Sequence, residues 1–166
     1  AAQPPGSTGL SRITRMVGVR IIHRPFGREP TLAVAVQGDL RGSDSRPVLL
    51  VHGMGGDHSS WRGLTRTLRA NGRPVVAVDL RGPGRRGHAD SYRLDDFRDD
   101  LRVVADELGL EQFDLIGHSL GAHTALRLAM AEPERIGRLV AEEPPPMPRH
   151  QADLDEGIVP SASLGE

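Results

Sequence analysis

The stretch Phe113 to Ala131, FDLIGHSLGAHTALRLAMA, most constrains what this chain can fold into. Phe113, Leu115 and Ile116 read as a buried strand, the run breaks at Gly117-His118-Ser119-Leu120-Gly121, and helical periodicity follows. A G-x-S-x-G break between a strand and a helix is a sharp elbow. The glycines on either side of the serine remove side chains that would clash, and Ser119 projects free of both elements. The amide after it, Leu120 N–H, opens a helix, where unpaired donors and the positive dipole end favour an oxyanion. That arrangement suits a nucleophile in acyl transfer. Gly121, Ala125 and Ala129 recur at every fourth position, so one helix face can approach a sheet closely.

A sheet around this elbow is predicted by the order of the remaining elements. Val48-Leu49-Leu50-Val51 is the continuous apolar run of a strand covered on both faces. It ends in His52-Gly53-Met54-Gly55-Gly56, a glycine cluster that frees backbone N–H groups to meet a ligand. In an elbow fold of this type the second oxyanion donor comes from that loop, and Met54 N–H is the candidate, with Gly55 next. Ser59 to Ala70 reads as an amphipathic helix with Trp61, Leu64 and Leu68 on one face and Asn71-Gly72 as its stop. Trp61 is expected as a core or rim anchor.

Pro74 to Val78 is a second buried strand, leading into the arginine-rich loop DLRGPGRRGHAD. There Asp79 and Arg81 are expected to pair, and Arg81, Arg85 or Arg86 is the alternative holder of a substrate carboxylate. Leu94, Phe97, Leu101, Val104 and Leu108 are spaced for a surface helix, with carboxylates between them facing water and Gly109 closing it. Ile136 to Ala141 forms a further strand. Ahead of all this, Met16 to His23 and Thr31 to Val36 read as an antiparallel pair around RPFGREP. Strands alternating with helices from residue 48 onward predict an α/β fold: a mostly parallel sheet with an antiparallel N-terminal hairpin and helices on both faces.

The totals set limits on partners. A chain of 166 residues holds one domain with a real core, read here as a flexible tail over 1–14, a core over 15–148 and an irregular tail over 149–166. All 21 basic residues are arginine and the formal net charge is −1, which gives no general basic field for nucleic acid or an anionic membrane. The absence of cysteine excludes a disulfide, a thiolate metal site and a cysteine nucleophile, and fits a cytoplasmic location. No apolar stretch reaches spanning length, so the chain is expected to be soluble and off the membrane.

HGMGG after one strand, DLRGPG after the next, GHSLG at the elbow and the strand RLVAEEPPP together resemble the α/β-hydrolase fold family, in its soluble esterase and haloperoxidase-like branch. The resemblance covers about residues 15–148. It implies Ser119 as nucleophile, Met54 and Leu120 amides as oxyanion hole, and His52, Gly53, Gly117, His118 and Gly121 as motif support. It implies a small-molecule ester-like substrate and neither cofactor nor metal. It also implies an incomplete fold, because in the family two further strands carry the catalytic acid and histidine beyond the strand that ends near Glu142.

Glu142, Glu143 and His150 are therefore the candidates for acid or base within this chain. His118 is expected to support the elbow from below, His52 to do the same for the glycine loop, His58 and His88 to lie in exposed loops, and His123 to sit past the serine on its helix. The alternative function is a non-catalytic binding or interaction domain, whose open sheet edge takes a complementing C-terminal half or a second copy.

Overall fold

The computed structural model describes residues 12–16, 18–24, 32–82 and 93–144. Among these, seven strands form one sheet: β1 (Arg12–Met16), β2 (Val19–Arg24), β3 (Leu32–Gln37), β4 (Val48–Val51), β5 (Val75–Asp79), β6 (Phe113–His118) and β7 (Ile136–Glu142). Their spatial order is β1-β2-β3-β5-β4-β6-β7. The first three are joined antiparallel to each other and to β5, whereas β5, β4, β6 and β7 form a parallel block. The expected N-terminal pair is a three-strand meander. Gly18, at φ 74°, turns the chain between β1 and β2, so the strand expected over Met16 to His23 begins at Val19 and pairs antiparallel with β3 as expected, while Arg12–Met16 adds a further strand beside it. β1 begins at Arg12, inside the stretch read as tail.

Among the described residues three α-helices cover the sheet: α1 (Arg62–Ala70), α2 (Leu94–Glu107) and α3 (Leu120–Ala131). The two-residue period of a strand decides which helix each side chain meets. Leu49 and Val51 of β4, with Val76 and Val78 of β5, pack against Leu101 and Val104 of α2 and Ala125 and Leu128 of α3. Val48, Leu50, Val75 and Ala77 point the other way, toward Trp61 with Leu64 and Leu68 of α1. Burying an aliphatic side chain of this size contributes about 1.5–3 kcal/mol, and all four residues of β4 are buried. This explains why the central strands carry no polar alternation.

The helix ends follow their sequence signals. Gly72 at φ 74° and Gly109 at φ 69° take the left-handed conformation after α1 and α2, with Arg73 N–H on Leu68 O at 3.0 Å and Leu110 N–H on Ala105 O at 2.8 Å. The expected helix from Ser59 starts differently. His58–Trp61 is a 3₁₀ turn capped by Asp57, and the α-helix begins only at Arg62.

Two expectations about charges change: that the carboxylates of α2 all face water, and that Arg81 is open to a substrate. Asp100 on α2 does not face water: it is 1% exposed and accepts from Arg81 Nε and Nη2, both at 2.7 Å. Asp79 accepts from the backbone N–H and the ring of His58, at 2.6 and 2.8 Å. Arg81 is thus committed to α2 rather than exposed for a substrate carboxylate, while Arg85, Arg86 and His88 lie outside the described residues.

At the amino edge of the parallel block, Asp114 accepts from Arg46 and Arg73 at 3.0 and 2.6 Å. Burial pushes its carboxyl up, but the two guanidinium hydrogen bonds outweigh this and hold it below its ordinary range. No helix among the described residues is long and apolar enough to cross a membrane.

Candidate functional site

Register brings the loops together. Val51 stands opposite Val78 on β5 and opposite Gly117 on β6, and Gly117 stands opposite Ala141 on β7. The segments that follow these strands, the glycine loop, Asp79, the elbow and Glu142, therefore leave the sheet at one carboxyl edge, where open α/β sheets place ligands. A cleft of about 520 Å³ lies there, lined by His52, Gly53, Met54, Ser119, His118 and Glu142, with Gly55, Gly56, Ser60 and Trp61 completing it.

Ser119 sits at φ 53° and ψ −118°, in the elbow between β6 and α3. Its N–H donates to the Glu142 carbonyl at 2.9 Å, and its own carbonyl takes the first helical hydrogen bond from His123 N–H at 3.0 Å. Leu120, Gly121 and Ala122 are the helix positions whose N–H groups have no intrahelical acceptor. The flanking glycines are required by space. A Cβ on Gly117 would strike the Gly121 carbonyl and lie 2.7 Å from Ala122 N, and one on Gly121 would strike the Val51 carbonyl of β4. Without these two glycines α3 could not start where it does.

The glycine loop is held from below by His52, which is buried. Its Nε2 accepts from Leu80 N–H at 2.9 Å, so the ring proton is on Nδ1, which donates to the Gly53 carbonyl at 2.6 Å. Gly56 N–H donates to the same carbonyl at 3.1 Å. A trans peptide points its C=O and N–H in opposite directions, so fixing Gly53 O fixes the direction of Met54 N–H. Asp57 secures the next turn by accepting from Ser59 N–H at 2.7 Å. Hydrogen bonds from the Ser59 side chain and backbone lower its carboxyl pKa.

The predicted residues divide clearly. Ser119, Met54, His52, Gly53, His118 and Glu142 meet at the cleft, while Gly117, Leu120 and Gly121 form the packed elbow beneath it. His118 does not support the elbow from below: its side chain is 44% exposed on the cleft wall, with Nε2 3.8 Å from Glu143 Oε2. His123 is 1% exposed and neither ring nitrogen has a hydrogen-bond partner. Burial, and then the charge of Arg127, push its pKa below the ordinary histidine value. His150 lies outside the described residues. Ser60 and Trp61 were not predicted as cleft walls; their only signal is their position a few residues beyond the glycine loop. Among the described residues, no three His, Asp or Glu side chains gather as a metal-holding group.

Comparison with known proteins places this architecture. Residues 46–161 match the model of the alpha/beta hydrolase fold family. The chain is 38% identical over 96 residues to the putative carbamate hydrolase RutD of Caulobacter segnis, covering 56% of this chain and 36% of that protein. It is 34% identical over 103 residues to the sn-1-specific diacylglycerol lipase ABHD11 of Xenopus laevis, covering 61% of this chain and 33% of that protein. Among solved structures, a carboxylesterase of Nitrososphaera gargenis superposes with a TM-score of 0.65 at 28% identity, over 76% of this chain and 46% of that one. This chain belongs to the alpha/beta hydrolase fold family. It spans about a third of the length of these two curated relatives.

Proposed function

We propose that this chain carries the nucleophile half of a serine hydrolase site that acts on an ester-like acyl substrate. One observation carries the reading: Ser119, at a strained positive φ, opens α3 on the wall of a cleft whose facing wall is the glycine loop. In this reading Ser119 Oγ adds to the acyl carbon, and the developing oxyanion is held by the N–H groups of Leu120 and Met54. The helix start supports the first donor and the peptide direction set by His52 supports the second. The names of the relatives, a putative carbamate hydrolase, a diacylglycerol lipase and carboxylesterases, are those of hydrolases of acyl compounds, which supports the substrate class.

The test is turnover of a short-chain p-nitrophenyl ester by the full chain and by Ser119→Ala. Turnover by the wild type alone is the expected result. Equal background rates in both proteins would overturn the reading.

The second reading is an interaction domain, favoured by β7, whose outer edge faces no strand among the described residues. Under it the cleft is idle, and the edge takes a complementing strand.

A further inference from the structure

Among the described residues the sheet has two outer strands, β1 and β7. β1 reads RITRM, with two arginines and no acid, so two copies of it laid side by side would oppose like charges. β7 is self-complementary. Leu139 packs on the core at the α2 and α3 side, and Val140 and Glu142 alternate onto the other side, with Arg138 just ahead of Leu139. Arg138, Val140 and Glu142 are all exposed. An apolar residue thus stands between a cation two positions before it and an anion two positions after it. Beside Val140 in the parallel register is Ile116 of β6, itself only partly buried.

One hydrogen bond shows which backbone groups the edge offers. Ser119 N–H donates to the Glu142 carbonyl at 2.9 Å, so that carbonyl faces β6. Successive residues of a strand turn their N–H and C=O groups to opposite sides. Val140 therefore also faces β6, while Leu139 and Ala141 face outward, where no strand stands among the described residues. The irregularity in the β6–β7 register falls ahead of Leu139, so this stretch is regular.

We propose that the outer edge of β7 is the face by which two copies of this chain pair, antiparallel about a two-fold axis at Val140. In that register the outward N–H and C=O groups of Leu139 exchange hydrogen bonds with those of the second copy's Ala141, and the reverse, while the two Val140 side chains meet as the closely spaced, non-hydrogen-bonded pair. Arg138 then stands opposite the second copy's Glu142, and Glu142 opposite its Arg138. Other registers lose this match. A slide of one residue sets outward groups against residues whose groups are already turned to β6, and a slide of two sets Val140 against a charge. Glu142 also lines the cleft, so pairing brings a guanidinium of the second copy to each cleft rim.

The test uses the full chain and needs neither ligand nor activity. Sedimentation velocity over a concentration series is expected to show a monomer in equilibrium with a dimer. Arg138→Glu and Glu142→Arg each create two like-charged pairs across the axis, and each is expected to weaken dimerisation about tenfold. An equal mixture of the two variants is expected to recover it, because the mixed dimer matches both pairs. The chain has no cysteine, so Val140→Cys places a single thiol on the axis, and mild oxidation should link it to its counterpart. Arg138→Cys should not link, being about 13 Å from its own counterpart in this register.

A wild type that stays monomeric at every concentration would overturn the pairing. A dimer whose charge variants are not recovered by mixing, or in which Arg138→Cys links as readily as Val140→Cys, would overturn the axis at Val140. Open-ended aggregation without a discrete dimer would do the same, since a two-fold contact closes. Melting curves check the variants; should a charge variant fail to fold, the two cysteine variants decide. Turnover at Ser119 bears on none of these outcomes.

Discussion

Two residues on α3 show how a single side chain is specified by what surrounds it. Gly121 lies where β4 and α3 approach most closely, and a methyl group there meets the carbonyls of Val51 and His52, which are backbone and cannot rotate away. Gly121→Ala should therefore cost about 1–3 kcal/mol, the usual range for overpacking, read as a lower Tm. His123, two residues on, is buried without a hydrogen-bond partner, and its pKa is depressed in the folded chain. The unfolded chain therefore binds a proton more readily than the folded one. Stability is present above the ordinary histidine pKa of about 6.5 and is lost as pH falls from there toward the folded value. Thermal melts should show a Tm that drops from pH 7.5 to about pH 5, and His123→Leu should flatten that drop. The lowered carboxyls of Asp39, Asp57 and Asp114 withdraw their stabilisation only at more acid pH.

Between elements, the buried Arg81–Asp100 pair joins the end of β5 to α2, with side chains 2% and 1% exposed. Two charges taken out of water are tolerated because the guanidinium fork and the carboxylate meet at two points. Removing Asp100 takes two short hydrogen bonds from the buried guanidinium and leaves it the weaker pairing with Asp96 at 3.9 Å. Asp100→Ala should cost about 3–5 kcal/mol, whereas replacing both by apolar residues of similar volume, Arg81→Met with Asp100→Leu, should be nearly neutral. Denaturant melts of the two single variants and the double variant give the coupling directly. Equal, additive losses would mean that the pair contributes nothing specific. The same joint also fixes where the chain leaves the carboxyl edge after β5, so its loss should reach the cleft.

For the whole molecule, the sheet ends at β7 among the described residues, with Val140 52% exposed on that last strand. An unpaired edge with an apolar side chain invites another strand. The 166-residue chain is expected to self-associate with rising concentration, and Val140→Lys to shift it toward monomer. Sedimentation velocity over a concentration series measures this, and a concentration-independent monomer would contradict it.

Local pattern made most of the architecture legible. VLLV and PVVAV announce strands buried on both faces because no polar residue interrupts them, FDLIG does so with Asp114 as its one polar member, and GHSLG announces the elbow because only glycines fit beside its strained serine. Those signals depend on neighbours in the chain, so the sequence by itself determined the parallel core, the helix stops and Ser119 as the candidate nucleophile. Tertiary structure decided what depends on partners distant in the chain. It added β1 ahead of the expected antiparallel pair, because Arg12–Met16 can pair back on β2 across the turn at Gly18. It buried Asp100 against Arg81, although the spacing of α2 set that carboxylate among residues expected to face water. It also turned His118 onto the cleft wall beside Glu143, since where the imidazole points depends on β7 and the glycine loop rather than on the residues next to it. A period shows which face a residue belongs to, but only packing shows what meets it there.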